Sequence, residues 1–511
     1  MKKSVLFICT DQWRWDCFGF MKHRNILTPN IDKLAKKSTV FTSHFAGIVP
    51  CGPARTTMLT GLYPFVHRSV TNGAPLDKRF TNIAKEAKRG GYDPKLYGYT
   101  DTSWDPRHLD KDSEKNFTYE SPMEGFDPVC HLPQGNPILW ANYLNENGFK
   151  INDAKDLYKN RRPKKGEGFI HEPFKIPTEH SDTSFLATQA IKDLQKKSDP
   201  FFMHISFLRP HPPMYVAEPW HSLVNPDDIE LPFMNKTIEE LSNTHPLFKE
   251  IAKKYTDEEM FSEIRFSDLN ENDIRNIKSV YFGMCAEVDH YIGKILDALN
   301  DTNQAENTMI IFTSDHGEML GENRQWGKSG WWDSSFRIPL IINVPNTSPK
   351  MLDTFTESVD IAPTILDWIE GEIPQDWNGQ SLMPIIRDSK NKYVNKKYVV
   401  FDWDFRESHY SSFVEKKQLA PEECNLSVIR TKDWKYVHFP SLPPLLFNLT
   451  DDPYEINNLA NESNYLNIRN DLLSELLSHR MLHQERQLSN SLLTKKGVIN
   501  ISGPATRKLK G

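Results

Sequence analysis

Cys51 is the residue whose surroundings offer the most chemistry. It opens the string Cys51-Gly52-Pro53-Ala54-Arg55-Thr56, in which Pro53 suits a first helical turn and Gly61 can end the helix. A side chain at such a helix mouth faces unpaired amides and the positive end of the helix dipole, a setting that favours an anion. Arg55 adds a fixed positive charge four residues on. On these residues alone two readings stand beside each other: a structural cysteine in a Pro-Gly turn, or a thiolate nucleophile activated by its position. Further reactive side chains stand at the ends of apolar runs. Asp11-Gln12 follows Ser4–Thr10, Arg209-Pro210-His211 follows Phe201–Leu208, and Asp315-His316 follows Met309–Ser314. Two carboxylates and one imidazole make an oxygen-rich set that suits Mn²⁺, Mg²⁺ or Ca²⁺ better than a thiolate zinc site.

The runs that carry these residues are continuously apolar rather than alternating, which predicts strands buried on both faces of a mostly parallel sheet covered by helices. Polar groups at the carboxyl ends of such strands lie where open α/β sheets bind ligands. Between the runs, Thr28-Pro29 predicts a capped helix start, Ser181 another, and the stripe Ile274 to Leu299 a long helix whose apolar face is core. Residues 101–180 are rich in charge, proline and aromatics, and read as an insertion shaping substrate access. After about residue 388 short strands separated by turns (Tyr398–Trp403, Ser427–Thr431, Lys435–Phe439, Pro444–Leu449) predict a small antiparallel sheet, followed by a helix over 466–488. The expected architecture is α/β, with a catalytic domain over 1–388 and a smaller C-terminal α+β subdomain over 389–511.

The remaining composition narrows the function. Of 511 residues 38% are hydrophobic and 11% aromatic, which excludes a disordered chain. Sixty-two basic against 68 acidic residues give a net charge of −6, so a nucleic-acid partner is not expected. No run approaches the ~20 apolar residues of a membrane span, and Val5–Cys9 is shorter than a secretory core of ~7–15. Six cysteines scattered without metal-type spacing fit a reducing compartment, and a cytoplasmic protein is expected.

The string Cys51-Gly-Pro53-Ala54-Arg55, with its trailing Leu59-Thr60-Gly61, resembles the Cys-x-Pro-(Ser/Ala)-Arg motif of the sulfatase family, part of the alkaline phosphatase superfamily. Thr28-Pro-Asn-Ile-Asp-Lys-Leu34, Ser314-Asp-His-Gly-Glu318, Asp360-Ile-Ala-Pro-Thr-Ile-Leu366 and Leu449-Thr-Asp-Asp-Pro453 extend the similarity over most of the chain. The resemblance implies an alkaline phosphatase-like fold and oxidation of Cys51 to Cα-formylglycine by a formylglycine-generating enzyme. It also implies a single divalent ion, held by Asp11, Gln12, Asp315, His316 and the modified Cys51. Hydrated formylglycine offers one hydroxyl for attack and a second that expels the transferred group by C–O cleavage.

Within the family, Arg209-Pro-His211-Pro-Pro, Gly98-Tyr99-Thr100 and Asn72 before Pro75-Leu-Asp77 are similar to the phosphonate monoester hydrolase branch. So are Gln12 and His316, where typical sulfatases carry Asp and Asn. That similarity implies hydrolysis of phosphonate monoesters and phosphodiesters, with promiscuous action on sulfate esters and Mn²⁺ as the first choice of metal. The alternatives are a cytoplasmic arylsulfatase and an inactive scaffold. By the same resemblance Arg55 holds the nucleophile and Lys328 balances charge on the transferred group. Asn72 and Tyr99 contact that group, and His211 serves the leaving oxygen. The substrate is then a small anionic ester, and the chain assembles as a homotetramer with residues 489–511 as an arm. One position departs from the branch: Asp101 stands where a threonine is usual, and it would repel an anionic substrate unless it turns away, meets a cation or alters specificity.

Overall fold

In the computed structural model the described residues are 3–159, 168–196, 200–254, 269–388, 395–406, 410–489 and 491–500. The apolar runs become strands, fifteen among the described residues. They are β1 (Ser4–Asp11), β2 (Thr39–Phe45), β3 (Ile48–Val49), β4 (Pro94–Gly98), β5 (Asp127–His131), β6 (Phe202–Pro210), β7 (Thr308–Ser314), β8 (Arg337–Asn343), β9 (Lys350–Glu357), β10 (Tyr398–Asp404), β11 (Asn425–Thr431), β12 (Trp434–His438), β13 (Leu445–Asn448), β14 (Ser491–Thr494) and β15 (Gly497–Asn500). Eight of them form one sheet in the order β5-β4-β6-β1-β7-β8-β2-β9. Only β8 runs against the others; β1 lies parallel to both β6 and β7. The expected mixed, mostly parallel sheet is present.

Period-two side chains explain why β1 is buried along its whole length. Leu6 and Ile8 enter one core, while Val5, Phe7 and Cys9 enter the other. Helices α1 (Pro29–Ala35), α3 (Asp182–Leu194) and α4 (Glu271–Asp301) cover the first face. Helices α2 (Cys51–Thr60) and α5 (Ile361–Trp368) stand on the second. Ser181 caps α3 by accepting from the Ser184 amide, as expected. Thr28 precedes α1 without capping it through its side chain: its hydroxyl instead accepts from the Gly19 amide and bonds Asp32. The segment read as an insertion, 101–180, also supplies β5 at one edge of the main sheet.

The second sheet has the order β13-β12-β11-β10-β3. Its four C-terminal strands are antiparallel, as the turn-separated pattern predicts, and helix α6 (Leu466–Leu482) packs on one face. That helix stops six residues short of the expected end at 488. The fifth strand, β3, comes from the N-terminal half and pairs parallel to β10. Because β3 leads directly into Cys51, the C-terminal strands brace the start of α2. The last two strands form a separate hairpin, and residues 501–511 of the expected arm lie outside the described residues.

Candidate active site

The topology brings the reactive residues together for a simple reason. Strands β6, β1 and β7 are neighbours and parallel, so the residues at their carboxyl ends, His211, Asp11-Gln12 and Asp315-His316, share one edge of the sheet. Tyr99 follows the neighbouring β4, and Cys51 is the first residue of α2, whose end is a left-handed Gly61. Gly98 has φ +100° and a Cβ there would lie 2.0 Å from the Ser206 carbonyl, so glycine is needed for β4 to reach the site against β6. A Cβ on Gly52 would meet the Asp101 carbonyl at 2.8 Å.

Ligand atoms of Asp11, Cys51, Asp315 and His316 all lie within 4.8 Å of one another. The His316 Nδ1 lies 3.0 Å from the Gly317 carbonyl, which can only accept, so Nδ1 carries the hydrogen and Nε2 presents a lone pair. Burial, reinforced by Lys328, holds this imidazole well below its ordinary value and therefore neutral. Its Nε2 nevertheless faces Cys51 Sγ at 3.3 Å, Asp11 Oδ1 at 3.4 Å and Asp315 Oδ1 at 3.7 Å. The lone pair of a neutral imidazole converging with two aspartate oxygens in a buried space calls for a cation. Carboxylate oxygens plus one imidazole fit a divalent ion of the Mn²⁺, Mg²⁺ or Ca²⁺ kind.

Arg55 compensates the outer side of the same carboxylates. It is fully buried, with Nε donating to Asp315 Oδ2 at 2.9 Å and Nη2 to Asp11 Oδ2 at 3.2 Å. Burial pushes the Asp315 carboxyl up, and the Asp11 charge adds to this while Arg55 opposes it. Asp11 itself lies well below the usual carboxylate range; burial opposes ionisation but His211, Lys328, His316 and Arg55 outweigh it. Lys328 donates to Cys51 Sγ at 3.0 Å and to Gln12 Oε1 at 3.2 Å. Burial pushes the Cys51 thiol well up, with Asp11 adding and Lys328 opposing, so the unmodified thiol is a poor nucleophile despite its helix N-terminus.

A buried floor and a partly exposed rim divide the site. Asp11, Gln12, Arg55, Tyr99, Asp315 and His316 are buried, whereas Asn72, His211 and Lys328 are only partly so. Asn72 accepts from the Gly52 amide through Oδ1 at 3.0 Å, which leaves its NH₂ to face a ligand. The Tyr99 hydroxyl is engaged below, donating to Asp11 Oδ2 at 2.6 Å, and its ring stacks under Arg55 at 4.2 Å. His211 gives its Nδ1 hydrogen to the Pro212 carbonyl at 2.7 Å; burial lowers it to about 4, so Nε2 is unprotonated in the resting site. Asp101 is buried at φ +48° and makes no ion pair among the described residues. Burial pushes its carboxyl well up, toward the neutral form, with Arg55 opposing and Glu120 adding.

Three supporting residues carry a role in the site that the sequence does not show. Ser206 Oγ accepts from Arg55 Nη1; its signal was a lone hydroxyl within the apolar run of β6. Tyr281, read as part of the core stripe of α4, donates to the Gln12 carbonyl at 2.8 Å and accepts from the Arg14 amide at 2.9 Å, holding the left-handed turn at Gln12, φ +67°. Glu318 accepts from the Gln12 side-chain amide.

Comparison with known proteins agrees with this geometry. The Sulfatase family model matches residues 3–371, and a model described as N-sulphoglucosamine sulphohydrolase, C-terminal, matches 321–482. The multifunctional alkaline phosphatase superfamily protein PehA of Trinickia caryophylli is 34% identical, covering 97% of this chain and 99% of its own. The phosphonate monoester hydrolase of Agrobacterium radiobacter superposes with a TM-score of 0.92 at 36% identity, over 98% of this chain and 100% of its own. That of Silicibacter pomeroyi gives 0.90 at 32% identity, over 98% and 99%. With its helix-mouth cysteine, paired buried aspartates and full-length likeness to these proteins, the chain belongs to the sulfatase family of ester hydrolases, within the alkaline phosphatase superfamily.

Proposed function

We propose that the chain hydrolyses phosphonate monoesters and phosphodiesters, and sulfate esters more slowly, at the Cys51 site. The observation that carries this reading is the convergence of Cys51, Asp11, Asp315 and His316 beneath a rim of Lys328, Asn72 and His211. It is supported by likeness along almost the whole chain to two proteins described as phosphonate monoester hydrolases. Asp11, Gln12, Asp315, His316 and the side chain at 51 would hold one divalent ion, Mn²⁺ first, with a formylglycine-generating enzyme maturing Cys51. These groups supply Lewis acidity and an attacking oxygen.

The chain's own residues do the rest. Lys328, within 3.0 Å of the Cys51 sulfur, binds the anionic group and balances charge as it is transferred. The Asn72 NH₂ orients a non-bridging oxygen. Tyr99 keeps Asp11 in place from below, and contact between its ring edge and the transferred group is part of this reading. His211 faces the leaving oxygen with Nε2; an anion bound beside it raises its proton affinity, so donation follows binding. Turnover of an aryl phenylphosphonate, a bis-aryl phosphate and an aryl sulfate ester tests the proposal. The expected order of kcat/KM places the first two above the third; a sulfate-only profile selects the arylsulfatase reading.

Six free, buried cysteines support a reducing, cytoplasmic setting, and no helix among the described residues is long and apolar enough to cross a membrane. The homotetramer is supported by apolar side chains left outside: Leu477 is 59% and Met481 63% exposed on α6, and Leu493 87% and Val498 65% on the β14–β15 hairpin. A second copy of this chain is the occupant we assign to the hairpin's exposed side chains. Combined Leu493→Asp and Val498→Asp substitutions should lower the mass measured by light scattering below that of the parent. An unchanged mass would remove the hairpin from the interface.

A further inference from the structure

We propose that Glu318 is a positioning residue that fixes the amide of Gln12 with its oxygen toward Lys328. The inference rests on the reading that Gln12 belongs to the cation site. It follows from hydrogen-bond polarity. The Lys328 ammonium has donors only, so the Gln12 atom 3.2 Å from it is the oxygen Oε1. The Gln12 NH₂ therefore points the other way, to Glu318 Oε2. The second carboxylate oxygen, Glu318 Oε1, is committed in turn. It accepts from the Leu320 amide at 2.8 Å and from the Gly327 amide at 2.6 Å. Glu318 is fully buried, so no solvent is at hand to satisfy a different arrangement.

This chain of hydrogen bonds has one consistent direction, from Lys328 through Gln12 to Glu318 and from the two backbone amides to the same carboxylate. A glutamine at 318 breaks it at a single atom. Its carbonyl must take the place of Oε1 to accept from Leu320 and Gly327, which sets its NH₂ against the NH₂ of Gln12. Two donors cannot bond, and turning the Gln12 amide over would only move the clash to the Lys328 ammonium, so the amide loses its fixed orientation and no longer holds its oxygen, the better ligand for a hard cation, toward the site. The reverse exchange repairs the polarity: Q12E in the E318Q background again gives an oxygen on both sides of residue 12, with the new NH₂ at position 318 donating to one of them.

The test is Mn²⁺ binding by isothermal titration to wild type, E318Q, Q12E and the double variant, with thermal melting in chelator as the check on folding. E318Q should bind Mn²⁺ about 10–100-fold more weakly, the range for loss of a group that orients a ligand. The double variant should recover to within about threefold of wild type, and Q12E should help less beside Glu318 than beside the glutamine of E318Q, which neither loss of packing at 318 nor the added charge at 12 alone would give. Equal affinity of E318Q and wild type overturns the role of Glu318 while leaving the cation site standing, and so does a double variant as weak as E318Q. A wild type that takes up no Mn²⁺ overturns the cation reading and this inference with it.

Discussion

Alanine at position 51 is expected to lower kcat/KM by about 10⁴-fold or more toward phosphonate, phosphodiester and sulfate esters alike, because removing a nucleophile costs on that order or more. Folding should survive. The Cys51 side chain is a small one at the start of α2, and its sulfur contacts are with Lys328, His316 and Asp11, all members of the site. The equal loss across substrate classes is the informative part. If each class used its own nucleophile, one activity would persist. Serine at 51 refines the test, since it returns one oxygen but not the pair that a hydrated aldehyde carries. It should cleave about one equivalent of ester and then stall on its own covalent product. A mass decrease at the Cys51 peptide of active wild type, with loss of thiol labelling, completes the picture. Full turnover by Cys51→Ala, or an unmodified thiol in fully active protein, overturns the reading.

The parts of the site that a sequence exposes are those whose neighbours are local. Asp11, His211, Asp315 and His316 each end a buried apolar run, and parallel strands deliver their ends to one edge, so these residues were legible from run length and punctuation. Cys51 was legible because proline and glycine mark both ends of its helix. The supports were not, because each acts across distant segments. Ser206 meets Arg55 over a separation of 151 residues, and Tyr281 meets Gln12 over 269. Nothing local distinguishes Tyr281 from the apolar stripe that surrounds it on α4. The same reason hid the pairing of β3 with β10: two residues carry little periodicity, and their partner lies in the other half of the chain. Asp101 shows a different limit. Its type suggested repulsion of an anion, but burial pushes the carboxyl toward its neutral form, and burial is a tertiary property.

Removing Arg55 should produce the largest combined loss of stability and activity. All five guanidinium hydrogens have acceptors: Asp315, Asp11 and the Tyr99 hydroxyl, the Tyr99 carbonyl, and Ser206. Alanine at 55 leaves two buried carboxylates facing each other without their shared cation, and breaking such a pair costs about 3–5 kcal/mol. Lysine at 55 keeps the charge but cannot fork to both aspartates, so it should fold better than the alanine variant while still losing about 10²-fold or more in kcat. The pH dependence has a definite sign. Arg55 lowers the proton affinity of both Asp11 and Asp315. Without it both carboxyls rise, so the folded variant binds protons more readily than the folded wild type. Its deficit against wild type is then largest at alkaline pH and narrows as pH falls toward the ordinary carboxylate range. Added Mn²⁺ should stabilise Arg55→Ala more than wild type at the same free concentration, because the ion takes over charge compensation that Arg55 supplied and so binds the variant more tightly. Denaturant titrations at several pH values in chelator and in Mn²⁺ would show this. A deficit that stays constant from about pH 5 to 9, around the value of about 7 to which Asp315 is already pushed up, would mean that Arg55 acts through packing against Tyr99 rather than through the aspartates.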